Sequence, residues 1–201
     1  MGFGFTVVGY FFAFLMSNFH SVFAFVGAYL MMIGLWKLKD YKSKFKYAIY
    51  PLGVIMALAL KDTALDILSI FGIEVGFFNG SIVLASLEFL NIASVALFHI
   101  ALFLSVAELA QDVQIEKIRV ASLRNMFFFV LYTVLCAVRF LPLNYGDTVL
   151  LYFNLIIQLM QILWIVLSIL LLFSCFRKIA DREELEKEIA KEQEEAKKKG
   201  E

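Results

Sequence analysis

Six long apolar stretches, joined by short polar connections, are the feature that most constrains this sequence. They cover residues 3–18, 20–36, 47–75, 81–108, 123–141 and 148–176. About 20 apolar residues in a helix cross the hydrocarbon core of a bilayer. The chain is 62% hydrophobic, whereas soluble domains average about 45–50%. We therefore predict an all-α integral membrane protein with about six transmembrane helices in antiparallel hairpins.

The first stretch, 3–18, is short for a full span. Three alternatives stay open for it: a span with little tilt, a span in a thinned part of the bilayer, or a re-entrant segment. Turn-forming residues at 79–80, and Pro142 further on, predict tight turns after the third and fifth stretches.

Basic residues predict the orientation of the chain. Every Lys and Arg except Lys61 and Arg139 lies in the connection 37–46, in the connection 117–124, or after residue 176. Positive charge is retained on the cytoplasmic side during insertion. We therefore predict a multi-pass protein of the cell (cytoplasmic) membrane with both termini in the cytoplasm. The basic connections would contact anionic lipid headgroups there.

The composition changes abruptly after residue 176, where Glu, Lys and Arg replace apolar residues. We predict a transmembrane domain over 1–176 and a charged cytoplasmic helical tail over 177–201. The favoured interpretation of the tail is a solvated extension of the sixth helix. The alternative is a helix that docks a cytoplasmic partner.

Three charged residues, Lys61, Asp62 and Asp66, interrupt the third apolar stretch. Each costs roughly 2.5–3.5 kcal/mol at the centre of an inserted helix. Either the segment spans and partners compensate the charges, or only 47–60 is inserted and 61–75 lies along the interface. The two flanking basic connections must both be cytoplasmic, so an even number of crossings separates them. That requirement favours the spanning interpretation.

The fourth stretch adds three polar residues to those of the third. Counting the helical rise from segment ends at 75 and 81 puts Asp66 and Glu88 at similar depths, about 12–13 Å. Carboxylates crowded at low dielectric cannot all stay ionised, which is the basis of a proton or cation site. The predicted roles are proton or cation binding for Asp62, Asp66 and Glu88, counter-ion for Lys61, and secondary polar contact for Asn91 and His99. For His99 alone, a packed and hydrogen-bonded core histidine is favoured over a ligand. In the sixth stretch, Asn154, Gln158 and Gln161 form a polar stripe that we expect to face other helices.

Several chemistries are not predicted. No zinc-protease, nucleophile-elbow or phosphate-loop motif occurs, and two histidines are too few for a multi-histidine metal site. Cys136 and Cys175 lie far apart and predict neither a disulfide nor a metal framework. We expect no enzyme activity, no cofactor, no metal and no nucleic-acid partner.

The stretch FVGAYLMMIGLWKLKDYKSKFKYA, residues 25–48, resembles the second span and basic loop of small, uncharacterised multi-spanning bacterial membrane proteins. The resemblance covers about the first quarter of the chain. It implies a bacterial cytoplasmic membrane and brings no known activity.

The leading functional hypothesis is a small carrier, or a proton- or cation-linked transport protein, that uses the intramembrane carboxylates. About 200 residues is small for a carrier, so a homodimer is expected. The alternative is a non-transporting accessory, sensor or regulatory subunit. In that case the buried charges pair with a membrane partner subunit and the tail docks a partner.

Overall fold

The computed structural model of the protein describes residues 2–73, 81–139 and 147–199. Within these residues the chain forms six α-helices and no strand, so the all-helical prediction is confirmed. The helices are α1 (Gly2–Tyr10), α2 (Ser21–Leu38), α3 (Lys46–Ile70), α4 (Ser81–Asp112), α5 (Glu116–Arg139) and α6 (Asp147–Lys199). The turns predicted at 79–80 and at Pro142 lie outside the described residues.

Four of the helices, α2, α4, α5 and α6, are long and apolar enough to cross a membrane. The other two differ for separate reasons. Helix α1 continues through a π-helical turn, Phe11–Leu15, and a 3₁₀ turn, Met16–Asn18, and this apolar run is shorter than a full span. Helix α3 has 25 residues, but its charged side chains lower its mean hydropathy. Length and composition alone therefore identify four spans among the described residues, whereas we predicted about six.

The six helices form a closed ring in which each helix packs against the next along the chain and α6 packs against α1. Hydrogen bonds join α5 to both of its neighbours in the ring. The Ser122 hydroxyl, near the start of α5, donates to the Phe103 carbonyl in α4 across 2.7 Å. The Asn125 side-chain amide donates to the Leu167 carbonyl in α6 across 2.8 Å. Ser122 lies in the first half of α5 and Phe103 in the second half of α4, so these two helices run antiparallel.

Helices α1 and α2 approach each other so closely that their backbones touch at glycines. A Cβ on Gly27 would lie 2.2 Å from the backbone nitrogen of Ala13, and one on Gly9 would lie 2.5 Å from that of Met31. Small residues at helix contacts are typical of membrane proteins, where dispersion replaces the hydrophobic effect as the driving force. The α1–α2 pair is therefore held by close backbone packing.

One end of the ring carries the basic connections. Lys42 contacts Asp112 across 2.5 Å, and Lys44 pairs with Glu108, so the α2–α3 connection is tied to the end of α4. The hydrogen bond to Asp112 raises the pKa of Lys42 above its ordinary value. We call this the basic end, and the opposite side of the ring the far end.

Aromatic side chains lie next to lysines at the basic end. The ammonium group of Lys39 lies 3.5 Å from the centre of the Trp36 ring, and that of Lys46 lies 5.2 Å from the Tyr47 ring. Trp36 and Tyr47 are exposed. Exposed Trp and Tyr next to Lys are characteristic of the membrane–water interface.

Helix α3 runs without interruption past its three charges and ends at Ile70, not near residue 75 as predicted. Near its end, the Ser21 hydroxyl donates to Asp66 Oδ2 across 2.5 Å. This bond keeps the last turns of α3 beside α2. Because the helix ends early, Asp66 lies only about 6 Å from its end.

Candidate functional site

A cavity of about 630 Å³ lies inside the ring towards its far end, and we call it the central cavity. Side chains from every helix except α1 line it, together with residues of the π and 3₁₀ turns that follow α1. Its polar lining includes Ser17, Ser21, Asp62, Asn91, Thr133 and Gln161. Pockets for small molecules commonly span about 300–1,000 Å³. The central cavity therefore has the size of a small-molecule or hydrated-ion site.

Asp62 is the carboxylate that α3 contributes to the cavity wall. Its Oδ1 lies 2.8 Å from the Nζ of Lys61, and Asp62 is the more exposed of the two side chains. The structure thus pairs Lys61 with a carboxylate, which is the contact that the counter-ion prediction requires. Lys61 itself is not part of the cavity lining.

Asp66 lies one turn beyond Asp62 on α3 and is hydrogen-bonded to a residue of the cavity lining. Its carboxylate accepts the hydrogen bond from Ser21, and Ser21 lines the cavity. Asp66 is not itself a lining residue. A change at Asp66 would therefore act on the cavity through the position of Ser21.

Glu88 and Asn91 have different surroundings in the structure. Asn91 lines the central cavity, whereas Glu88 is exposed and does not. Within the described residues, no group of three or more Asp, Glu, His or Cys side chains could hold a metal ion. The cavity lining therefore offers one carboxylate, Asp62, surrounded by neutral amides and hydroxyls.

His99 is fully buried behind the cavity and both of its ring nitrogens are satisfied. Its Nδ1 lies 2.7 Å from the Val95 carbonyl oxygen, which can only accept, so Nδ1 carries a proton. Its Nε2 lies 2.8 Å from the Tyr10 hydroxyl, which then donates to it. The geometry is that of a neutral, packed core histidine.

Aromatic rings separate His99 from the cavity. The His99 ring stacks on Phe129 at 4.4 Å between centroids and meets Trp164 and Phe14 edge-on at 4.7 and 4.8 Å. Phe14, Phe129 and Trp164 also line the cavity. The Trp164 Nε1 is buried and finds no hydrogen-bond acceptor among the described residues.

The π-helical turn after α1 contributes one of the aromatic rings that separate His99 from the central cavity. Tyr10 immediately precedes the turn and Phe14 lies within it. A π turn inserts an extra residue into a helix and is frequent at functional sites. Nothing in the sequence FFAFL indicated it, because one inserted residue leaves the apolar composition unchanged.

The polar stripe predicted on α6 only partly faces other helices. Gln161 lines the central cavity and Asn154 is partly buried, but Gln158 is exposed. The expectation was therefore wrong for Gln158. Cys136 also lines the cavity, whereas Cys175 is fully buried elsewhere in the ring.

No family model, curated protein or solved structure matches the chain. Function is therefore inferred from the chemistry of the cavity residues.

Proposed function

We propose that the protein is a six-helix membrane protein with both termini in the cytoplasm. In this proposal it binds a proton or a small monovalent cation in the central cavity and carries it across the membrane. Transport would proceed through the cavity lining, with Asp62 as the principal binding carboxylate.

Membrane insertion of the whole ring is supported by its outer surface. Large apolar side chains are exposed on all six helices, among them Phe89, Leu97, Phe127, Leu151 and Leu159. Soluble proteins rarely expose contiguous apolar surface on this scale. Helices α1 and α3 pack within the same ring as the four apolar spans, so the proposal includes them in the membrane. The basic end, with its Lys, Trp and Tyr residues, is assigned to the cytoplasmic side.

The observation that carries the transport proposal is the position of Asp62 in the wall of a polar cavity within an apolar ring. Ionisable residues in such surroundings commonly mark ion or proton pathways. Divalent cations prefer several carboxylate oxygens, and the cavity lining provides one carboxylate with neutral oxygens around it. A proton or a monovalent cation therefore fits this lining better than a divalent metal ion.

In this proposal, Lys61 and the transported cation alternate as the positive partner of the Asp62 carboxylate. Its ammonium group is paired with Asp62, so an entering cation competes with Lys61 for the carboxylate. When the cation leaves, Lys61 returns to Asp62, so the carboxylate has a positive partner in both states. The cost of holding an isolated carboxylate in a low-dielectric site is avoided in both states.

The test is ion flux into liposomes that contain the purified protein, driven by a potassium diffusion potential and followed with dyes sensitive to pH or to monovalent cations. We expect flux well above that of empty liposomes, and at least tenfold less flux with Asp62→Asn. Glu88→Gln is the matched control, because Glu88 is also a carboxylate but does not line the cavity, and it should behave like the unaltered protein. Equal flux in Asp62→Asn and the unaltered protein would contradict the assignment of Asp62.

The continuous helix α6 favours a second candidate function. It extends from Asp147 to Lys199, which carries the charged tail about 34 Å beyond residue 176. An accessory subunit would use this helix to dock a cytoplasmic partner. Removal of residues 181–201 would then abolish function, whereas the transport proposal expects flux to persist.

A further inference from the structure

A smaller cavity of about 170 Å³ opens between α5 and α6 near the basic end, and we call it the basic groove. Three basic side chains line it: Lys117 and Arg124 from α5, and Lys178 from α6. Lys117 and Arg124 are seven residues apart, so they lie two turns apart on one face of α5. The groove thus gathers three positive charges from two neighbouring helices.

Among the side chains that the structure describes, none that lines the basic groove is acidic. The nearest acid along α5 is Glu116, whose carboxylate contacts Arg119 at 3.3 Å, and neither residue is part of the lining. All three basic side chains of the groove are exposed. Like charges that converge without a counter-ion repel one another. An anion bound between them would relieve that repulsion and gain charge-assisted hydrogen bonds, above all from the guanidinium group of Arg124.

The rest of the groove is mainly apolar. Ile118, Ala121, Leu167, Leu170 and Leu171 form its floor and sides. Exposed apolar side chains lie further along the same two helices towards the far end, including Leu131 on α5 and Leu163 on α6. A ligand held here would therefore have an anionic group between the three cations and an apolar part against the helices.

We propose that the basic groove binds the phosphate headgroup of an anionic phospholipid in the cytoplasmic leaflet, with an acyl chain along α5 and α6. Basic pockets between membrane helices on the cytoplasmic side are known to hold such headgroups. The apolar floor and the exposed leucines favour a lipid over a free phosphate ion, which would leave the apolar part of the groove unused. The inference rests on the proposed membrane placement but not on transport.

The test is native mass spectrometry of the full-length protein in detergent, titrated with phosphatidylglycerol or with phosphatidylcholine. We expect one phosphatidylglycerol to bind at least tenfold more tightly than phosphatidylcholine. Each basic residue near an anionic surface changes affinity about fivefold. The triple variant Lys117→Gln, Arg124→Gln, Lys178→Gln should therefore lose about a hundredfold in affinity for phosphatidylglycerol.

The matched control removes the same charge from exposed positions outside the groove, with Lys37→Gln, Lys46→Gln and Arg177→Gln. It should keep the preference for phosphatidylglycerol. The single variant Arg124→Gln covers the case in which the triple variant does not fold, and several-fold weaker binding is expected of it. Melting temperatures of all variants report folding independently of lipid.

Two results would overturn the proposal. One is equal loss of phosphatidylglycerol binding in the triple variant and the control, which would mean that net charge alone attracts the lipid. The other is phosphatidylglycerol binding unchanged by all groove variants while millimolar inorganic phosphate stabilises the protein only when the groove is intact. The groove would then be a site for small anions. Neither result depends on whether the protein transports an ion.

Discussion

The Nζ of Lys61 lies 2.8 Å from Oδ1 of Asp62, its neighbour in α3. Of these two residues, Asp62 lines the central cavity and Lys61 does not. Two charges that would each be costly in a membrane-spanning helix therefore neutralise each other at the wall of a polar cavity. This pair is the chemical centre of the proposed transport function.

The first prediction concerns competition between Lys61 and the transported cation. Lys61→Gln removes the competing ammonium group, so the cation concentration for half-maximal flux should fall several-fold. Asp62→Asn should lower flux at least tenfold at every concentration. Concentration series in liposomes measure both effects, with Lys37→Gln as a control for the loss of one positive charge. A higher half-maximal concentration in Lys61→Gln would contradict counter-ion exchange.

The second prediction concerns the close contact between α1 and α2. Gly27→Ala places a Cβ 2.2 Å from a backbone nitrogen, so α1 must move, and such overpacking costs roughly 1–3 kcal/mol. Thermal unfolding in detergent should show a clearly lower melting temperature. Gly53→Ala is the control, because the nearest atom to its added Cβ lies 3.9 Å away. Equal melting temperatures for the two variants would rule out the close packing of α1 on α2.

The third prediction concerns the hydrogen bond between Tyr10 and His99. Tyr10→Phe leaves His99 Nε2 buried without a donor, which should cost roughly 1–3 kcal/mol of unfolding free energy. Tyr29→Phe is the control: Tyr29 is exposed, and surface changes usually stay within about 0.5 kcal/mol. Denaturant unfolding of both variants measures the difference. A Tyr10→Phe protein as stable as Tyr29→Phe would show that the bond contributes nothing.

The fourth prediction concerns the ammonium group of Lys42. Its hydrogen bond to Asp112 raises its pKa, so less of the reactive neutral amine is present at a given pH. Asp112→Asn should therefore speed acylation of Lys42 by an amine-reactive ester between about pH 8 and 10, near the ordinary Lys pKa. Peptide mass spectrometry measures the rate at Lys42, and Ser43→Ala serves as a neighbouring control. An unchanged rate in Asp112→Asn would mean that the contact is absent in solution.

The helices could be predicted from the sequence because apolar composition is a local property. The end of α3 was predicted about five residues late, yet the sequence held a signal for it. Gly72 adopts a positive φ of 71°, and the backbone N–H of Ile73 donates to the Leu68 carbonyl across 3.0 Å. Glycine at such a position is a common helix stop, so Gly72 in the stretch FGI is the signal in the sequence for the end of α3.

The cavity could not be predicted in the same way. Asp62 and Glu88 look equivalent in the sequence, but the rotation of each helix in the ring decides which one lines the cavity. That rotation follows from tertiary packing, to which the π turn before Ser17 also contributes. The spacing of seven residues between Gly2 and Gly9, repeated between Gly27 and Gly34, was a signal for the α1–α2 contact that the apolar pattern concealed.

The measurement that tests the central claim most directly is thiol labelling of Cys136 in a Cys175→Ala background. Cys136 lines the central cavity and is the one cysteine left in this variant. We predict that a small, charged, membrane-impermeant reagent labels it from the outer side in sealed vesicles, and that the same reagent applied from the cytoplasmic side does not. Labelling from the cytoplasmic side alone, or none from either side, would contradict a cavity that opens towards the far end of the ring.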